Sequence, residues 1–548
     1  MPEGHRCQRS AGDPATTELK RLTDNPAAVP IALAALVAVG GVIRFIVAGQ
    51  DLFADELATY WIVKTNSLPD AVEAVGTTAE ISPPLGFILT WLTTPISSRL
   101  DINLAPELIR LPALIAGIAS IPLVYAIGTC TVGRVAALLA AALTTLSPFM
   151  IFYSAEARGY AVMMALVLLS TLSLLLAIDR GRRGWWVAYA VFACLAAYTH
   201  YTSIFVLGAQ FLWAFWVDPR ARKPLLIATA AAALLYVPWL PSLKEDLDSP
   251  TTQILSAQSP FDLSSIKLYL GHWTLGFPFR SRSIDSPLTD LPGIPGLSLM
   301  AASVVVGGVG LFKARQRLAA WFFAHDRRIV LLVVLALATP VGEAVASLVG
   351  SNVFSTRNLA ASWPYLALAG AALITVGNWR FRLAAATLAV AGLGFGAAKM
   401  VATDYQRPNF SDVARFVAGD PRGVLVDSAA VTPGPLTNFD VDGSMPGVEV
   451  FRLNVPEQRS GPFDLRDQLP ESAELARRVV AAAGDESITV VTTVSDNPIV
   501  GRRAESDIAA EFIGQLPPSY ELVERRVFPG FVELQALVFE KRAGTNGS

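Results

Sequence analysis

From Ala28 to Val401 the chain is a succession of apolar runs of about 15–23 residues, each long enough, or nearly so, to cross ~30 Å of hydrocarbon as a helix. Nothing constrains the fold more, because a backbone in lipid must satisfy its own N–H and C=O groups, and a helix does so locally. The runs lie near residues 28–48, 109–128, 134–152, 159–178, 185–199, 202–217, 224–241, 292–312, 329–350, 359–377 and 383–401, which predicts roughly eleven spans. An apolar fraction of 53% against 16% charged residues, with a mean hydropathy of +0.47, belongs to an integral membrane protein. The net charge of −2 gives nucleic-acid binding no electrostatic support. Cys7, Cys130 and Cys194 have no metal-ligand spacing and suggest no disulfide framework.

Orientation follows from the basic loops. Arg134, then Arg180, Arg182 and Arg183, then Arg220, Arg222 and Lys223, then Lys313 to Arg328, and finally Arg380 and Arg382 fall in alternate loops, so all can be cytoplasmic together. The polar start, with Arg6, Arg9, Lys20 and Arg21, then stays inside, and the first run is a retained signal anchor. The scheme requires Pro83–Ile96 not to cross. That stretch is opened by Pro83-Pro84 and broken by Pro95, as in a re-entrant or interfacial helix. The run Trp185–Val217 is expected to make two short spans joined at Tyr198–Tyr201.

Beyond residue 401 the pattern changes to a helix at Phe410–Val417, a strand at Val424–Asp427, an Ala-rich helix at Ala473–Ala483, a strand at Ile488–Val494, final strands within Tyr520–Lys541 and a loop at Thr432–Gly447. The expected fold class is therefore an α-helical polytopic membrane protein of about eleven spans with a C-terminal soluble α/β domain. The divisions are 1–27, a cytoplasmic tail; 28–401, the transmembrane domain; and 402–548, an extracytoplasmic domain.

With this topology four polar clusters share the outer side. They are Asp55-Glu56 followed by Glu80 and Ser82-Pro83-Pro84-Leu85; Tyr153-Ser154-Ala155-Glu156-Ala157-Arg158-Gly159-Tyr160; Tyr198-Thr199-His200-Tyr201; and Ser355-Thr356-Arg357-Asn358. The order of apolar helix, Ala54-Asp55-Glu56, Ser82-Pro83-Pro84-Leu85, Ser147-Pro148 with Tyr153–Arg158, and His200-Tyr201 resembles the bacterial membrane glycosyltransferases of the GT-C class. The likeness is to the branch of the protein O-mannosyltransferases and lipid A aminoarabinose transferases, and it covers residues 28–400. The chain departs from that pattern at Ser82, where a basic residue or His often stands, and at Asn358-Leu359, where an aromatic often follows the Arg.

The resemblance implies transfer of a sugar from a polyprenyl phosphate to a glycan, lipid or protein acceptor outside the plasma membrane. Such a reaction needs a base for the acceptor hydroxyl and cations for the departing phosphate. It implies Asp55 as the base, with Glu56 sharing that task or orienting the acceptor. Arg158 and Arg357 would hold the donor phosphate, where a planar guanidinium gives paired hydrogen bonds; interfacial snorkelling is the plainer use of either. Glu156 could bind sugar hydroxyls, hold Arg158 or assist a metal, and a local ion pair serves equally well. Tyr160, His200 and Tyr201 are candidates for substrate contacts, and His272 and Trp273 for cover over the site. Glu343, deep in a span, is open between a structural and a functional role. No metal or other cofactor is specified by local spacing, although Asp55, Glu56, Glu156 and His200 could form an oxygen-rich divalent site in space.

A single displacement by a hydroxyl needs one base and inverts the sugar. The Ala/Val-rich, Arg-over-Lys composition suggests a high-GC bacterium such as an actinobacterium, and with it arabinose or mannose donors for cell-wall polymers. A transporter or lipid flippase fits the same hydropathy, but it commonly shows internal repeats and broken midplane helices. A noncatalytic envelope scaffold is the third reading.

Overall fold

A computed structural model of the chain describes residues 27–53, 55–76, 80–99, 106–247, 261–276, 293–350, 352–376, 378–420, 422–428, 448–453, 472–494, 505–530 and 533–542. The expected N-terminal tail and the loop Thr432–Gly447 lie outside these residues. Among the described residues, eight helices are long and apolar enough to cross a membrane: Ala28–Ala48, Leu111–Thr131, Tyr160–Arg180, Arg222–Leu247, Gly293–Lys313, Arg327–Val349, Asn358–Val376 and Trp379–Val401. Arg134–Leu146 and Pro148–Ser154 would make a ninth span, bent by 61°. Arg183–Ala197 and Ser203–Val217 are apolar but shorter. Each expected run is helical, yet only eight of the expected eleven are single helices of spanning length, because Pro148 and the turn at Tyr198–Thr202 cut the others. A second correction concerns Pro95, which does not end its helix; Leu85–Arg99 runs through it.

Pro148 has no N–H to continue the helix before it, so the chain turns there, with Ser147 capping the new helix by accepting from the Met150 amide at 3.3 Å. The carbonyls left open in the last turn are taken by Arg44, which is completely buried in the first span. Its guanidinium donates to the carbonyls of Thr144 at 2.9 Å and Thr145 at 3.1 Å and to Ser154 Oγ at 3.1 Å. An intramembrane cation is thus used as a helix C-cap. The main apolar cluster forms around the Tyr160–Arg180 helix, while Leu212, Trp216 and Leu348 stand exposed on the flanks that lipid would cover.

After Val401 comes a five-stranded sheet of β1 (Val424–Asp427), β2 (Glu449–Arg452), β3 (Ile488–Thr493), β4 (Tyr520–Phe528) and β5 (Leu534–Lys541), in the order β2-β1-β3-β5-β4. β1 runs parallel to both of its neighbours, and β5 antiparallel to β3 and β4. Alternate residues bury on opposite faces. Leu425 and Val491 meet Phe410 and Val413 of the helix Phe410–Val417, while Val426 and Val490 meet Val479 and Phe512 from the helices Ser472–Ala483 and Glu505–Gly514. The first of these faces also receives Phe53, from the loop after the first span. The strand β2 and the helix Glu505–Gly514 escape the sequence pattern, being short and flanked by polar segments.

Candidate active site

The loop after the first span, which carries both candidate acids, is fixed by one arginine. Arg110 is fully buried, and all of its N–H groups are used. Nε and Nη2 donate to the two oxygens of Glu56 at 2.7 and 2.6 Å, and the remaining bonds go to the carbonyls of Ala48 (2.6 Å), Gln50 and Asp51 (2.9 Å). Glu56 also accepts the backbone amides of Ala157 at 2.8 Å and Phe53 at 3.2 Å. Its carboxylate is 1% exposed. Burial alone would raise its affinity for a proton, but the charges of Arg110 and Arg407 reverse this and hold the carboxyl below its ordinary value.

The same loop is tied to the linker that follows the last span. Gln50 donates to Met400 O at 3.4 Å and accepts the Arg407 amide at 3.1 Å, and Asp51 accepts both the amide (2.7 Å) and the hydroxyl of Ser411.

Asp55 is placed differently. Its carboxylate is 41% exposed and forms an ion pair with an Nη group of Arg357. Burial of the site pushes the Asp55 carboxyl up, but Arg357 and Arg158 outweigh this, so it lies below its usual range and is ionised at neutral pH. Arg158 is held by Glu80, with bonds of 3.0 and 2.8 Å to its two oxygens, and by Ser82 Oγ at 3.0 Å. It also lies over the ring of Phe87 at 5.3 Å. The turn bearing Arg158 can approach this closely because Gly159 lies against Thr199: a Cβ there would come within 2.9 Å of the Thr199 carbonyl oxygen. The Leu85 amide donates to Tyr198 O at 2.9 Å and binds the Pro-Pro-Leu corner to the same loop.

His200 faces Tyr160 with ring centroids 5.1 Å apart. Burial first, and then the charges of Arg158 and Arg357, push its pKa down to about 3, so the imidazole is neutral. Its Nδ1 lies 2.9 Å from Thr202 Oγ1 and 3.3 Å from the Thr202 amide nitrogen. Glu156 is shifted the other way, to about 8, by burial first and then by the negative charges of Glu56 and Asp55. One of its oxygens, Oε2, is buried without a hydrogen-bond partner.

A small cavity lined by Ser82, Phe87, Arg158, Tyr160 and His200 lies among these groups. Of the residues chosen from sequence, Asp55, Glu156, Arg158, Tyr160, His200 and Arg357 gather around one another; Glu56 lies in a buried layer beneath. Tyr201 points elsewhere. Its hydroxyl donates to Asp246 and accepts from Trp239 Nε1 at 3.1 Å, in an apolar cluster with Ile62, Val75 and Phe87. His272 and Trp273 are buried on the helix Leu263–Leu275, which packs on Pro148–Ser154. Glu343 is completely buried within its span.

The residues sequence reasoning missed are Arg110 and Arg407. The signal for Arg110 is a cation at the start of an apolar run; nothing in Gln406-Arg407-Pro408 marks Arg407. Among the described residues no three His, Cys, Asp or Glu come together in an arrangement that could hold a metal ion.

Residues 82–241 match the sequence profile of the dolichyl-phosphate-mannose-protein mannosyltransferase family. The structure is similar to that of ArnT from Cupriavidus metallidurans in the apo state, with a TM-score of 0.54 and 12% identity over 92% of this chain and 97% of that one. It is also similar to the same protein bound to undecaprenyl phosphate, with a TM-score of 0.52 and 13% identity over 94% and 99% of the two chains. The fold is that of the GT-C membrane glycosyltransferases. No curated protein matches the chain in sequence. Glu156, Arg158, Tyr160 and His200 fall inside the matched segment, whereas Asp55, Glu80, Arg357 and Arg407 fall outside it.

Proposed function

We propose that the protein is a glycosyltransferase that moves a sugar from a polyprenyl phosphate to an acceptor hydroxyl of a cell-envelope glycan, lipid or protein at the outer face of the bacterial plasma membrane. The observation that carries this reading is Asp55: an ionised, solvent-reachable carboxylate paired with Arg357, beside Arg158 and a neutral His200. The GT-C fold and the mannosyltransferase match support it, as does the undecaprenyl phosphate bound by the similar ArnT.

In the reaction the acceptor oxygen attacks the anomeric carbon while its proton passes to Asp55. The bond from that carbon to the phosphate oxygen breaks, and its electron pair stays on the phosphate. One displacement inverts the sugar. Arg357 can hold Asp55 with one Nη and meet phosphate with its remaining N–H groups, being one-third exposed. Arg158 adds charge nearby, and the Tyr160 hydroxyl and the neutral His200 ring offer hydrogen bonds to sugar hydroxyls. Glu156, neutral at pH 7, is a further donor, and its opposite shift from Asp55 suits a site that needs one base and one proton-bearing carboxyl.

Glu56 is not assigned the base. At 1% exposure, with its oxygens engaged by Arg110 and two amides, it has no access to an acceptor and instead holds the loop that carries Asp55. In this reading residues 28–401 form the transferase domain and 402–548 an extracytoplasmic domain, with a pentose or hexose as the transferred group.

The test uses purified protein in lipid nanodiscs with polyprenyl phosphates carrying radiolabelled arabinose or mannose and an envelope fraction as acceptor. Label should move to the acceptor, free polyprenyl phosphate should appear, and the product linkage should be inverted. Movement of intact lipid-linked sugar across vesicles, without cleavage, would overturn the reading in favour of a flippase.

A further inference from the structure

Arg407 lies in the linker after the last span, and its guanidinium reaches the layer beneath Asp55. Its side chain is 2% exposed. Nε faces Glu56 at 3.4 Å, the group lies 4.8 Å over the ring of Phe152, and neither Nη1 nor Nη2 has a hydrogen-bond partner. Glu56 cannot satisfy them, because Arg110 and the amides of Ala157 and Phe53 already occupy its oxygens. Glu156, which also faces Arg407, leaves its Oε2 unpartnered.

Arg110 faces the carboxylates of Glu56 and Asp51, whereas Arg407 faces only Glu56, which it shares with Arg110, and Glu156, which is neutral at pH 7. In the outer layer Arg357 is matched by Asp55 and Arg158 by Glu80. Arg407 is thus the buried arginine of the site whose two Nη groups are left idle. A buried cation with idle donors is costly, and an arriving anion removes the cost.

We propose that Arg407 is a ligand for the phosphate of the lipid carrier and that it recognises the additional charge this phosphate gains as the sugar leaves. The inference rests on the transferase reading above. The donor is a phosphodiester with one negative charge. Breaking the bond to the sugar leaves a phosphate monoester, which carries about −1.5 to −2 at pH 7. A guanidinium whose two Nη groups no acceptor of the protein occupies is placed to meet this increment, as transition-state stabilisation requires. The linker, and with it the C-terminal sheet, thereby becomes part of the active site.

The test compares binding of polyprenyl phosphate, of its methyl ester and of inorganic phosphate to the full-length protein in detergent. The two lipids share a chain, but the ester cannot acquire a second charge. Wild type should prefer polyprenyl phosphate to the ester by about tenfold or more, the effect of one charge-assisted hydrogen bond. Arg407→Gln should lose that preference while binding the ester within about twofold of wild type. If the Gln variant does not fold, Arg407→Lys replaces it: an ammonium keeps the charge but loses the paired N–H groups, so its preference must fall below that of wild type.

A purely structural arginine would weaken both lipids alike and leave their ratio unchanged, which overturns the proposal while the function stands. Failure of wild type to bind either lipid would instead overturn the functional reading. An Arg407-dependent affinity for inorganic phosphate equal to that for lipid phosphate would overturn the assignment to the carrier.

Discussion

Replacing Glu56 by Gln separates the two neighbouring acids by what each does. The substitution keeps size and one carbonyl oxygen, but it removes the carboxylate that pairs with both Arg110 and Arg407 and turns an NH₂ group toward a donor of Arg110. Glu56 accepts from Arg110 at 2.7 and 2.6 Å and from Ala157 N at 2.8 Å, with 1% of its side chain exposed. Breaking a buried, hydrogen-bonded pair of this kind costs about 3–5 kcal/mol. Asp55→Asn breaks a pair whose side chains are 41% and 33% exposed, a loss of about 0–1 kcal/mol. Thermal unfolding in detergent, followed by tryptophan fluorescence, should show a large drop in midpoint for Glu56→Gln and little change for Asp55→Asn. The Glu56 carboxyl is held below its ordinary value, so its stabilisation is present above pH 4.5 and is lost as pH falls through the lowered value. Equal midpoints for the two variants, or the larger drop for Asp55→Asn, would refute the division into an anchor and an exposed base.

Three further outcomes follow from the same geometry. Arg158→Lys should lower transfer by about tenfold or more in a folded enzyme, because an ammonium cannot reproduce the paired bonds to Glu80 together with the bond to Ser82; wild-type turnover would favour simple snorkelling. Transfer by wild type should decline as pH rises through about 8, where Glu156 loses its proton beside Glu56, Asp55, Arg407 and Arg357, and Glu156→Gln should abolish that decline in a profile of kcat/KM; an unchanged alkaline limb would remove Glu156 from the account. Tyr201→Phe should leave transfer within about twofold of wild type, since its hydroxyl serves Asp246 and Trp239 and not the site; a much larger loss would show that the aromatic cluster takes part.

Hydropathy made the helices legible because lipid leaves the backbone few alternatives. It could not tell an apolar run that spans from one cut by a turn, as at Pro148 and at Tyr198–Thr202. The outer polar clusters were visible because charged and aromatic residues at helix ends interrupt apolar stretches, and Asp55, Arg158, His200 and Arg357 all come from such interruptions. Their division of labour was not visible. Asp55 and Glu56 are adjacent in the chain, yet one is half exposed and the other is surrounded by Arg110, Arg407 and two amides. Apart from the Phe53 amide, that difference depends on residues 54 to 351 positions away. Arg44 was the overlooked hint: a cation inside the first apolar run announces polar partners within the bundle. Tyr201 is the opposite case: it adjoins His200 in sequence, yet its hydroxyl goes to Asp246.

The central claim is that Asp55 removes the acceptor proton, and Asp55→Asn tests it most directly because Asn keeps size and hydrogen bonding but loses basicity. The measurement is incorporation from a sugar-loaded polyprenyl phosphate by purified enzyme, with donor binding measured alongside. Donor binding should persist while transfer falls by the ~10²–10⁴-fold typical of a lost general base. Retention of most activity in folded Asp55→Asn, or a fall that merely tracks lost donor binding, would contradict the account.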